Sequence, residues 1–205
     1  MQLFEPKCSA LNETVIILTT LAVFLGDTAM KRLVSCFEIL LQKLNDPRTV
    51  RTVQESICRC IPQIAKYFSD KMRENYLKEH IDILLETKEV KDLMGAAFVT
   101  AGLLKCGGMT LITDMKILET FAAESFSSKK VHPVRKIAGL CLYECLSISM
   151  GKAFELYLPR MFTHVLDAIS ENKHEVRAAA NATLRTIMGT FSNYAIKNTL
   201  PQFLK

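Results

Sequence analysis

The sequence predicts an all-α fold, a solenoid of about four to five helical pairs stacked in a row. Three observations predict it. Apolar residues recur at helical spacing nearly throughout, with no convincing alternation of period two. Breakers are sparse, with 8 Gly and 6 Pro in 205 residues, so elements are long and connections short. One phrase, a valine followed by a basic residue and then small residues, returns four times. Its spacings are 40, 44 and 42 residues, from Val50 to Val90, Val134 and Val176.

The elements follow in order. A first helix is expected over 10–25. It contains the most apolar run, VIILTTLAVFL at 15–25, which at 11 residues with two Thr falls short of the ~20 a membrane span needs. No basic segment precedes it, so it reads as a buried helix rather than a signal. The pairs are then 29–44 with 49–67, 71–86 with 89–106, 113–126 with 132–149, and 153–170 with 174–191. A last helix starts near 193. Leu33, Cys36, Phe37, Leu40, Leu41 and Leu44 form one apolar stripe, and Leu158, Met161, Phe162, Val165, Leu166 and Ile169 form another. Asp27 and Thr28, Ser69 and Asp70, and Ser192 and Asn193 can cap helix starts. Gly107-Gly108 and Gly151 end helices. Pro133 suits a first turn, where a missing N–H costs nothing.

The repeated phrase has a physical reading. Val50, Val90, Val134 and Val176 open the second helix of each pair and are expected to point into the core. Arg51, Lys91, Arg135 and Arg177 follow them at the inter-helix turns. There each can bond a carbonyl or an acid of the neighbouring turn, such as Asp46. Gly95, Ala96, Gly139, Ala179 and Ala180 let helices approach closely. A two-helix unit of ~40–47 residues is the signature of HEAT repeats, in which no pair buries its apolar faces alone.

Composition narrows the function classes. Hydrophobic residues make up 49% and charged residues 23%, the proportions of a globular chain. A net charge of +5 permits an acidic partner but lacks the dense basic stripe of a dedicated nucleic-acid domain. The 7 cysteines are odd in number and lie mostly in apolar runs, which fits reduced core thiols in a cytoplasmic protein. Asn12-Glu13-Thr14 and Asn181-Ala182-Thr183 match the glycosylation triplet by chance, inside helical stretches. No C-x2-C or H-E-x-x-H motif, Walker loop or G-x-S-x-G elbow is present, and the four histidines are scattered. The expectation is no enzyme, metal, cofactor or small-molecule substrate. In KCGGMT the lysine precedes the glycines and no strand leads in, so it reads as a helix terminator.

Three stretches carry a family resemblance: VQESICRCIPQIA (53–65), MGAAFVTAGLLKCGG (94–108) and, the longest, 151–205 from GKAFELYL to LPQFLK. They resemble the general control nonderepressible HEAT-repeat activators of the initiation factor 2 alpha kinase. The similarity covers residues 30–205 and falls in that family's central segment, the part similar to elongation factor 3. It implies a non-enzymatic scaffold contacting ribosomes and a partner ATPase of the ABC-F type. Through these contacts it would help activate the kinase under amino-acid starvation or ribosome stalling. Direct kinase binding belongs to another segment of that family and is not expected here. The resemblance also implies that residues 1–205, one solenoid segment, are a fragment of a much longer chain. LPQFLK ends inside a further helical pattern, which fits.

The sharpest surface feature is the turn SSKKVHPVRK, with Lys129, Lys130, Arg135 and Lys136 within eight residues. On one edge they would form a positive patch for rRNA phosphates or an acidic protein. Set against this is a solvated turn with one structural arginine. The competing function class is a HEAT adaptor of another kind, a transport receptor or phosphatase scaffold holding a peptide on its concave face. No membrane association is expected.

Overall fold

The computed structural model describes residues 27–46 and 48–199. The helix expected over 10–25 and the cysteine at position 8 lie outside the described residues. The described elements are α1 (Asp27–Asn45), α2 (Arg51–Ala65), α3 (Asp70–Glu86), α4 (Val90–Asp114), α5 (Ile117–Phe126), α6 (Pro133–Met150), α7 (Leu158–Ile169), α8 (His174–Thr190) and α9 (Asn193–Thr199). A 3-10 segment, Gly151–Tyr157, leads into α7. No strand occurs among the described residues. The fold is an all-α HEAT-repeat solenoid, with four pairs in series.

The second helices of the pairs form an inner row. α2 packs on α4, α4 on α6 and α6 on α8, while α1, α3, α5 and α7 cover them from outside. Hydroxyls and one thiol stitch the row together. Cys58 Sγ donates to Phe98 O at 3.6 Å, Ser149 Oγ to Ala101 O at 3.1 Å and Thr183 Oγ1 to Leu140 O at 3.1 Å. Each satisfies a buried polar group and ties one repeat to its neighbour.

Small residues set the approach distance. A Cβ at Gly102 would lie 2.7 Å from Ile61 Cβ, and one at Gly139 would lie 2.7 Å from the Phe126 ring. These positions therefore admit only hydrogen. α4 is buried without interruption from Gly95 to Leu104. By length and composition alone, α4 and the run Pro133–Ile169 could cross a membrane, but most of that surface is already covered by neighbouring helices.

Punctuation acts where the sequence placed it. Ser69 Oγ accepts from Met72 N at 3.3 Å, and Ser192 Oγ accepts from Ala195 N at 3.2 Å. Pro133 begins α6. Gly151, with φ 58°, ends α6, whereas Gly107-Gly108 do not end their helix as expected: Gly108, with φ 75°, only kinks α4, which runs on to Asp114. Two boundaries differ from expectation. The helix expected from 113 begins at Ile117, because 109–114 continue α4 past its kink and Lys116 takes a left-handed conformation to turn the chain. The helix expected over 153–170 starts as 3-10. Pro159 has no N–H to donate to Glu155 O, so Leu158 N bonds that carbonyl instead.

Candidate functional site

The repeated phrase stands at the starts of the four inner helices, but its four valines are not equivalent. Val50 is 60% exposed and Val90 47%, while Val134 is half-buried and Val176 is only 1% exposed. This corrects the expectation that each points into the core. The reason is helix register. Val50 caps α2, Val90 is the first residue of α4, Val134 the second of α6 and Val176 the third of α8. Each step into the first turn rotates the side chain further towards the core.

Their basic neighbours also differ. Arg177 donates to Glu171 O and Asn172 O, both at 2.8 Å, within its own turn. Arg135 donates to Leu84 O at 3.3 Å, in the preceding pair. Lys91 makes an exposed ion pair with Glu89 at 2.7 Å. Arg51 does not meet Asp46, which is held by Arg48 at 3.1 Å. Arg48 holds the Asp46 carboxyl below its ordinary range. Arg51 instead reaches Glu144 of α6 at 2.8 Å.

The basic turn is only half a patch. Lys129 and Lys130 are exposed between α5 and α6. Lys136 is 5% exposed and leaves the expected patch. Its ammonium donates to Lys129 O at 3.2 Å and pairs with Glu171. The first turn of α6 carries it under the α5–α6 turn, and Glu171 from the α7–α8 turn supplies the anion. Arg135 is half-buried and engaged with Leu84. Lys129 and Lys130 are the two cations of the four left facing solvent.

Beside this turn is a cleft of about 400 Å³ lined by Phe126, Lys129, Lys136, His164, Asp167 and Glu171, among others. His164 is stacked on Phe126 with centroids 4.6 Å apart, and its Nδ1 is hydrogen-bonded to the Tyr143 hydroxyl at 2.9 Å. Burial pushes the His164 imidazole below its ordinary value, against the nearby Asp167 carboxylate. His80, in the α3 seam, is depressed in the same way. Burial outweighs its bond to Tyr76 O at 2.7 Å and the proximity of Glu79. The fold favours the neutral form of both rings, while the unfolded chain protonates them near the ordinary 6.5. Stability is therefore full above about pH 6.5 and lost as pH falls through that value. Thermal melts between pH 7.5 and 5.5 should show this decline, and His80→Gln with His164→Gln should flatten it. An unchanged slope would refute the assignment.

The thiols match a core role. Burial raises Cys58 and Cys141 to about 12 and Cys145 well above its ordinary value. Such thiols are protonated and unreactive. Among the described residues no disulfide forms, and no three His, Cys, Asp or Glu side chains converge as metal ligands.

Sequence reading missed the Arg51–Glu144 contact, 93 residues apart, with Thr186 donating to the same carboxylate oxygen at 2.9 Å. One signal was available. Glu144 is the lone charge in the apolar run IAGLCLYECLSISM, and an acid buried there requires a partner.

Residues 94–205 match the family described as EF3 N-terminal HEAT repeat. The eIF-2-alpha kinase activator GCN1 of Saccharomyces cerevisiae is 31% identical over 195 residues, covering 94% of this chain and 7% of that protein. Its namesake in Dictyostelium discoideum is 31% identical over 170 residues, covering 82% and 6%. The human stalled ribosome sensor GCN1 is 26% identical over 165 residues, covering 80% and 6%. The chain thus spans 6 to 7% of the length of these relatives. No solved structure gives a match. With its paired helices, its inner row and these similarities together, the chain belongs to the EF3 N-terminal HEAT repeat family, in the form carried by the GCN1 kinase activators.

Proposed function

We propose that this chain works as a non-enzymatic scaffold segment of translational control in the cytoplasm. It contacts ribosomes and a partner ATPase of the ABC-F type, and so helps activate the initiation factor 2 alpha kinase under amino-acid starvation or ribosome stalling. The kinase itself is bound elsewhere, and neither a membrane nor a small-molecule substrate takes part. The observation that carries this reading is the similarity over most of the chain to proteins named as kinase activators and a stalled ribosome sensor. The solenoid supports it, because its buried polar groups serve packing between repeats.

Lys129 and Lys130 are the contact we assign to an acidic partner, either rRNA phosphate or a protein carboxylate. Both are exposed, and among the described residues neither is held by an ion pair. Arg135 and Lys136 support the turn from beneath and do not face the partner. Co-sedimentation with ribosomes at low and moderate salt tests the reading. The chain should travel in the heavy fractions and be released as salt rises. Lys129→Glu with Lys130→Glu should reduce the bound fraction several-fold without changing helicity. A chain that stays in the light fractions under crosslinking overturns the ribosome contact. Unchanged binding by the double variant overturns the patch alone.

A further inference from the structure

In a stacked-repeat solenoid each pair touches only its neighbours, so pairs can open one at a time. This chain departs from that rule where α2 of the first pair meets α6 of the third, and where Thr113 of α4 meets the Tyr157 hydroxyl at 3.0 Å; the first of these places carries a charged link. Arg51, in the first pair, donates through Nη2 to Glu144 Oε1 of the third pair at 2.8 Å, across the second. We propose that the Arg51–Glu144 contact is a clasp that couples the first helical pair to the third, so that the first three pairs open and close as one unit.

Several features of the fold support the clasp. The helix it crosses is slim: Gly95, Ala96, Ala97, Ala101 and Gly102 of α4 let α2 and α6 come within reach of one arginine. Phe98 of α4 lies beneath the guanidinium, 4.6 Å from ring centroid to Cζ. Glu55 Oε1 accepts from Arg51 Nε at 3.2 Å and holds the fork in place. Glu144 is the one buried carboxylate among the described residues, and Thr186 of α8 donates to the same oxygen that Arg51 uses. The network thus touches all four inner helices. The sister cations do not span in this way: Lys91 and Arg177 bond locally, and Arg135 reaches only the adjacent pair.

The clasp acts on arrangement more than on total stability. Burying the Glu144 carboxylate costs about as much as its partners return, and its carboxyl is pushed above the ordinary range by burial despite Arg51. Such a pair selects one register of helices over others without adding much to the folding free energy. The consequence is a rigid block that holds the turns of the first and third pairs in one relative position.

Native-state amide exchange on the 205-residue chain tests this directly. In the unaltered protein the slow amides of α2 and α6 should share one opening. Glu144→Gln is near-isosteric and keeps an acceptor for Thr186. It should speed exchange in α2 about tenfold relative to α8, within the usual range for coupled sites. Arg51→Met should do the same. The double variant should speed α2 no more than either single change, since one link is lost once. Equal acceleration in α2, α6 and α8 would mean the pair adds only to global stability and would overturn the clasp. Additive effects in the double variant, or no change in α2, would overturn it too. Should Arg51→Met fail to fold, Glu144→Gln alone decides between these results.

Discussion

Replacing Phe98 with alanine should destabilise the chain by roughly 3–5 kcal/mol, the usual cost of deleting a fully buried aromatic ring. Phe98 has no exposed surface and lies in the middle of the inner row. Its ring supports the Arg51 guanidinium, and its carbonyl accepts from Cys58. The substitution leaves the backbone bond in place but opens a cavity between α2 and α4 and removes the aromatic face under a cation. At roughly 2–4 °C per kcal/mol for a chain of this size, the melting temperature should fall by about 6–20 °C. Urea titration measures it directly: the midpoint should drop with the slope unchanged. A loss below about 1 kcal/mol would mean that the inner row repacks around the cavity and is looser than its buried small residues indicate.

Lys136→Met should cost about 2–3 kcal/mol. Breaking a buried ion pair strands the remaining charge, and this usually costs about 3–5 kcal/mol. The lower figure allows for Glu171, whose side chain keeps 23% of its exposure and so regains some water. Lys129 O also loses a donor. A second change distinguishes a stranded charge from lost packing. Lys136→Met with Glu171→Met should recover most of the loss, because an apolar pair of similar volume leaves no charge behind. A double-mutant cycle by denaturant unfolding reads the coupling. Additive losses would show that the two side chains act independently.

These two residues illustrate what a sequence can and cannot carry. Phe98 was legible as a core position, since it stands eight residues after Val90 in the phrase, matching Cys58, Leu142 and Leu184. Lys136 was misread as surface, because a lysine in a basic turn is ordinarily solvated. Only the meeting of that turn with Glu171, 35 residues away, removes it from water. The relatives' names and the family match agree with the resemblance read from residues 53–65, 94–108 and 151–205. The patch itself shrank from four cations to two.

The sequence by itself determined the helices, their pairing, their period and the family, because these rest on local periodicity and on near-neighbour rules. Apolar spacing sets a helix face, glycine and proline end it, and a forty-residue recurrence implies stacking. Tertiary structure alone decided which charges face solvent and which helices meet out of order. Exposure is a property of what packs over a side chain, and here those neighbours come from turns 35 to 93 residues distant. The same valine-and-base phrase therefore yields an exposed cap at Val50 and a buried residue at Val176. Of its four cations, Arg51 alone spans three pairs.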